Sequence, residues 1–154
     1  VYSPALLETV AQTLRLLGVK RAYVVHGSGL DEAAVHGTTE LAELKEDGTI
    51  ERSTLTPADL GAKRLYSIEE IKGGAPADNA LITEAILAGK GTEAQQAFVA
   101  ANLALLLKIG DLAKSLPEAV ELARRTMASG KGLEVLNAHR AYATSHTASS
   151  QKAA

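Results

Sequence analysis

The stretch Ala22-Tyr23-Val24-Val25-His26-Gly27-Ser28-Gly29-Leu30-Asp31-Glu32 sets the firmest limits on the fold. Four unbroken apolar residues, two of them β-branched, describe a strand buried on both faces, as in a parallel sheet. Gly27 and Gly29 permit backbone angles closed to other residues and let a ligand come near the main chain. Asp31 and Glu32 then stand just past the strand's carboxyl end, where open α/β sheets place their ligands. Neighbouring carboxylates without sulfur or paired histidines suit magnesium held together with a phosphate-bearing substrate. Acids in such a place also serve as partners of a helix dipole, and on these residues alone that structural reading comes first.

At 154 residues the chain is the size of one ordinary domain and long enough to bury a core. An apolar content of 46% with 22% charged residues is that of a globular protein. The formal charge of −2 gives no electrostatic case for nucleic acid. No cysteine is present, which removes disulfides and thiolate metal sites. No apolar run is long enough to span a bilayer and no signal-peptide pattern opens the chain, so the expected compartment is the cytoplasm, with no membrane partner.

Ser3-Pro4 reads as a helix opening, with Leu6, Val10, Leu14 and Leu17 as its apolar face and Gly18 as its stop. The strand Arg21–Val25 follows at once. Helix and strand together look like half of a βαβ unit whose first strand lies upstream of Val1, and the absence of an initial methionine fits the same expectation. Asp31–His36 reads as a loop or short helical turn. Thr39–Leu44 and Thr49–Leu55 flank Asp47-Gly48 and predict a hairpin with one wet face. Thr56-Pro57-Ala58-Asp59 opens a turn closed by Gly61, and Ser67 with Glu70 forms a capping box.

From Gly73 the chain reads as helix: Ala80–Ala88, then a long helix from Thr92 and Gln95 to about Ile109, apolar nearly all round and expected to be deeply buried. Ser115 and Glu118 cap another helix that ends near Ser129-Gly130, and Leu133–Tyr142 forms a last short one. Residues 1–142 thus make one α/β portion with trailing helices, and 143–154, small and polar without periodicity, read as a disordered tail. The fold class is α/β: part of a mainly parallel sheet with flanking helices, an added β-hairpin, and carboxyl-terminal helices that pack on or join a helical domain.

Other polar residues read structurally. His26 is a turn histidine bonded to nearby backbone, ahead of a substrate contact. His36 belongs to loop structure, and His139 and His146 face solvent. Asn79 orders the Gly73-Gly74 turn or caps the helix, and Lys90 and Lys131 belong to a solvated surface.

An ordered set of segments resembles one family. Val1-Tyr2-Ser3-Pro4, Val24-Val25-His26-Gly27, Gly29-Leu30-Asp31-Glu32, Leu55-Thr56-Pro57, Gly73-Gly74 with Asn79-Ala80, and Ser129-Gly130-Lys131 are similar to the carboxyl-terminal half of the anthranilate phosphoribosyltransferases. The likeness covers essentially the whole chain except the tail. It implies transfer of phosphoribosyl from phosphoribosyl pyrophosphate to the amine of anthranilate, in tryptophan biosynthesis, with Mg2+ as cofactor and Asp31 and Glu32 as its ligands. It also implies a small helical domain beside a larger α/β domain, a homodimer, and association with a glutaminase/anthranilate synthase component.

The family's glycine-rich pyrophosphate loop, its Lys-His-Gly-Asn segment and its anthranilate-binding arginine all correspond to positions before Val1. No catalytic side chain is therefore expected within this chain, and alone it is expected to be inactive. Two alternatives stand beside this reading: a related phosphoribosyltransferase or nucleoside phosphorylase, and a non-enzymatic relative that binds nucleic acid. The Leu30-Asp31-Glu32 match argues against the first, and the mildly acidic balance against the second.

Overall fold

The computed structural model describes residues 1–151, with side chains described through Ser145. After one 3₁₀ turn, Pro4–Leu6, the elements are α1 (Leu7–Leu16), β1 (Ala22–Gly27), β2 (Thr39–Leu44), β3 (Ile50–Leu55), α2 (Ile68–Ile71), α3 (Pro76–Leu87), α4 (Glu93–Ile109), α5 (Leu116–Ala128) and α6 (Lys131–Gln151). They divide into two compact units. One holds Val1–Lys72 and Thr92–Arg124, and the other Gly73–Gly91 and the residues from Arg125 onward.

The first unit is a sheet clad by helices on both faces. Its strands run in the order β1-β2-β3, and both pairings are antiparallel, with Val24 opposite Ala42 and Ala42 opposite Arg52. A mainly parallel sheet is therefore not what the described residues form. A parallel neighbour needs a crossover of a dozen or more residues, usually a helix, whereas residues 28–38 make a compact loop that returns the chain beside β1. The apolar run in β1 still has the cause read from sequence, burial on both faces. Leu7 and Ala11 of α1 pack with Val24 and Ala42 on one face of the sheet. On the other face Tyr23, Val25 and Leu41 meet Ala97, Ala101 and Leu105 of α4. A strand covered on both faces is continuously apolar whichever way its neighbour runs.

The hairpin of β2 and β3 turns at Asp47-Gly48, where Gly48 has φ +85°. Asp47 Oδ1 accepts the Thr49 amide at 2.8 Å, and Glu40–Arg52 and Lys45–Glu51 ion pairs lie along the hairpin. Such partly exposed pairs are worth about 0–1 kcal/mol each and serve mainly to keep this edge wet and in register.

Two helical faces differ from the sequence reading. In α1 the fully buried positions are Leu7 and Ala11, while Leu17, expected on the core face, is 75% exposed. Val10 and Leu14 of the expected face pack beside them, and Leu17 falls outside because the helix ends at Leu16. In α4 the buried positions are Ala94, Ala97, Ala100, Ala101, Ala104 and Leu105, whereas Leu106 is 67% exposed. Small side chains let this helix approach the sheet closely, and its leucines do not all fit beneath it. The expected reciprocal cap is present: Gln95 Oε1 accepts the Thr92 amide at 3.0 Å and Thr92 Oγ1 accepts the Gln95 amide at 3.2 Å.

Before α2, the Glu70 carboxylate accepts the Ser67 amide at 2.8 Å and pairs with Arg64 at 2.6 Å. The Arg64 contact, then the Ser67 amide, holds its pKa down at about 2. Because the folded value lies below the ordinary 4.5, this contribution to stability is whole above pH 5 and fades as pH falls toward 2. Glu70→Gln is expected to lower the melting temperature at pH 7 and to flatten its decline between pH 5 and 2. Parallel acid melts of the two proteins measure this.

In the second unit, α3 starts at Pro76, four residues before the expected Ala80, because proline suits the first helical turn. Asn79 orders the turn ahead of it: its Oδ1 accepts the Gly74 amide at 2.8 Å and its Nδ2 donates to the Gly74 carbonyl at 3.0 Å. Arg140 of α6 pairs with Glu84 of α3, and Gly132 lets α6 approach Leu87. The last helix continues nine residues past Tyr142, into the stretch read from sequence as a disordered tail. Alanine favours helix there, and Thr144 and Ser145 direct their hydroxyls to the Arg140 and Tyr142 carbonyls. The part of that expectation falling on residues 152–154 lies outside the described residues. No described helix is long and apolar enough to cross a membrane.

Candidate functional site

The loop that follows β1 is built from several local constraints. The Gly27 amide donates to the Leu30 carbonyl at 2.9 Å, and the Leu30 amide to the Gly27 carbonyl at 3.0 Å. Ser28 and Gly29 between them have φ +48° and +97°, the sign pattern of a type I′ turn. Ser28 is held in this left-handed region by two bonds. Its Oγ donates to the Thr38 carbonyl at 2.8 Å, and its carbonyl accepts from His36 Nε2 at 3.1 Å. The Gly29 amide approaches His26 Nε2 at 3.3 Å, which makes that nitrogen the acceptor. His26 Nδ1 therefore carries the proton and donates it to the Val1 carbonyl at 2.9 Å. His26, buried and bonded on both nitrogens, has the structural role expected of it.

Asp31 and Glu32 follow this turn directly and are both exposed. Immediately after them Ala33, Ala34 and Val35 are fully buried, and Ala33 and Val35 enter the core beneath α4. The acids are thus the exposed end of a segment whose other end is anchored in the hydrophobic core. The Ala34 amide donates to the buried Thr39 Oγ1 at 2.9 Å. Asn102 of α4 grips Ala33 at both backbone groups: its Oδ1 accepts the amide at 2.8 Å and its Nδ2 donates to the carbonyl at 3.0 Å.

Beside the two acids lies a pocket of about 260 Å³. Tyr23, Val25, Leu105, Leu106 and Ile109 form its apolar wall, and Asp31, Glu32 and Asn102 supply its polar edge. The Glu32 carboxyl is pushed above its usual range, first by burial, then by the neighbouring negative charge of Asp31 and a hydrogen bond with it. Two crowded carboxylates at the rim of an apolar hollow are a donor set that a divalent cation would relieve. No group of three or more histidine, cysteine or acidic side chains among the described residues forms a closed metal cage. An open pair suits a small hard ion that keeps most of its waters and takes its remaining ligands from phosphate. The residues present therefore fit Mg2+.

The other sequence candidates stand apart from this pair. His36 braces the turn through Nε2, and its buried Nδ1 has no hydrogen-bond partner. His139 is exposed, as are Lys90 and Lys131, and the side chain of His146 lies outside those described. Two features of the site escaped the sequence reading. One is the buried run Ala33-Ala34-Val35 directly after the acids, and the other is Asn102. A lone amide within Ala100-Ala101-Asn102-Leu103-Ala104 was the available signal. Asparagine is a poor choice mid-helix unless its side chain has a partner elsewhere.

The family model described as "Glycosyl transferase family, a/b domain" matches residues 1–133. The chain belongs to this family. Among its relatives, the anthranilate phosphoribosyltransferase of Tolumonas auensis is 54% identical over 134 residues, which are 87% of this chain and 39% of that protein. The enzyme of the same name from Colwellia psychrerythraea is 54% identical over 136 residues, 88% of this chain and 37% of its own length. The chain thus spans about two-fifths of the length of the curated glycosyl transferases it matches.

Among solved structures, the anthranilate phosphoribosyltransferase of Thermus thermophilus superposes with a TM-score of 0.82 at 34% identity, covering 92% of this chain and 41% of that one. The Saccharomyces cerevisiae enzyme in complex with PRPP and Mg gives a TM-score of 0.77 at 24% identity, covering 89% of this chain and 39% of that one. At that identity the second likeness is one of fold.

Proposed function

We propose that the protein carrying this chain transfers phosphoribosyl from phosphoribosyl pyrophosphate to the amine of anthranilate, a step of tryptophan biosynthesis, in the cytoplasm. The observation that supports this most is the 54% identity to enzymes of that name across the segment that contains Gly27–Glu32. In the reaction the bond between the anomeric carbon and the pyrophosphate oxygen breaks, and the amine nitrogen bonds to that carbon and loses a proton. Charge develops on the departing pyrophosphate and on the ribose, so no nucleophilic side chain is needed, and electrostatics with positioning supply the rate.

In this reading Asp31 and Glu32 hold Mg2+. When bound, the ion supplies Lewis-acid stabilisation of the leaving pyrophosphate. The rest of the chain's work is positional. The Gly27–Leu30 turn and the buried Ala33–Val35 anchor fix the two carboxylates at the end of β1. The homodimer, and association with a glutaminase/anthranilate synthase component, belong to the same proposal.

The test is a chimera in which this chain replaces the matching segment of the Tolumonas auensis enzyme. Anthranilate fluorescence should fall on addition of phosphoribosyl pyrophosphate and magnesium. A folded chimera that consumes no anthranilate would end the assignment.

A further inference from the structure

Asn102 lies on α4, 69 residues from the loop it holds. Its amide makes three bonds: the two to Ala33 and a third from Nδ2 to the Phe98 carbonyl, one helical turn back, at 3.0 Å. The Phe98 bond fixes the rotamer, and with Nδ2 so directed Oδ1 can face only the Ala33 amide. That amide belongs to the peptide plane joining Glu32 to Ala33. Ala33 lies outside every strand, so the Asn102 side chain supplies the pairing that a neighbouring strand would otherwise give.

The same peptide is confined from the opposite side. A Cβ on Gly27 would stand 2.2 Å from the Glu32 carbonyl oxygen, so β1 and the loop backbone are already in closest approach there. The Glu32–Ala33 peptide is therefore clamped between Gly27 and Asn102, and the Glu32 side chain leaves the backbone at the edge of this clamp. Asn102 also borders the pocket that both carboxylates rim.

We propose that Asn102 is a positioning residue for the acid pair: it sets the direction of Glu32 relative to Asp31 and so the pair's affinity for a divalent cation. This rests on the magnesium reading above. Residues that orient metal ligands from behind commonly change affinity 10- to 100-fold when removed. Asn102→Ala is expected to weaken Mn2+ binding by about 10-fold on that scale.

The experiment titrates Mn2+, with inorganic pyrophosphate present to complete its coordination, into the chimeric enzyme described above and follows broadening of the Asp31, Glu32 and Ala33 amide signals. Asn102→Ala is compared in two backgrounds, unaltered and Glu32→Ala, with thermal melts of all four proteins. The positioning role requires the Asn102 effect on Mn2+ affinity to vanish once Glu32 is gone, while its effect on melting temperature stays the same. An equal loss of affinity in both backgrounds, or none in either, overturns it. Should Asn102→Ala not fold, Asn102→Gln, with the same groups one methylene further out, carries the same comparison. If the unaltered chimera shows no broadening at Asp31 and Glu32, the magnesium reading fails and this inference falls with it. Broadening that Asn102 does not influence sinks the inference alone.

Discussion

Removing both acids, Asp31→Ala with Glu32→Ala, is expected to lower magnesium-dependent turnover of the chimeric enzyme by about 10²- to 10³-fold. The size follows from the several kcal/mol that a metal contributes to a leaving phosphate, at about 1.4 kcal/mol per factor of ten. Stability should not fall with activity. Both residues are exposed overall, and partial desolvation at the pocket rim, then the charge of Asp31, disfavours the ionised Glu32 carboxyl, so its charge adds no stability to the folded protein. The melting temperature of the double variant should equal or slightly exceed that of its parent. Steady-state rates across a magnesium series, with melts alongside, measure both halves. A loss below tenfold would remove the pair from the metal site, and a collapse in melting temperature would make the acids structural.

Gly27→Ala is expected to be the most destabilising single methyl addition in this loop. The new Cβ would sit 2.2 Å from the Glu32 carbonyl oxygen and 2.7 Å from the Ala34 nitrogen, both backbone atoms. Neither can retreat, because Ala33–Val35 are fully buried and the Ala33 and Ala34 amides are held by Asn102 and Thr39. Overpacking against fixed backbone costs about 3 kcal/mol, or about 10 °C in melting temperature for a domain near this size.

Gly29→Ala makes the contrast. A Cβ there meets nothing within 4 Å, and only its φ of +97° is unfavourable, so about 1–2 kcal/mol is expected. Equal losses at the two positions would refute the clamp on Glu32. The two glycines thus do different work. Gly29 is needed for its backbone angle, whereas Gly27 takes no positive φ and is needed for space.

Much of the local structure was legible because it depends on neighbours in sequence. The Asp47-Gly48 turn, the Thr92/Gln95 cap and the Asn79 turn each involve partners within five residues, and each formed as the residues indicate. Errors lay where the partner is distant. The apolar run of β1 showed that both faces are covered but not by what, and an antiparallel strand under α1 and α4 satisfies it as well as a parallel one. In α1, Val10 and Leu14 pack against the core as the spacing indicates, whereas Leu17 lies past the end of the helix and stays in solvent. In α6, composition suggested no packing and so no structure, yet the helix continues to Gln151, through a stretch in which alanine is the residue type that favours it.

For the candidate site, sequence by itself determined the donor types: two adjacent carboxylates after a glycine turn at a strand's end, with no cysteine in the chain. Residue type and order carry that information, since the donor atoms belong to the side chains themselves. Only the tertiary structure decided what holds them. Ala33–Val35 are anchored by a core assembled from β2, α4 and the loop near Leu60 and Tyr66, and Asn102 reaches Ala33 across 69 residues. Such contacts depend on how a helix and a sheet pack. Packing is a property of distances in space, which the spacing of residues along a chain does not contain.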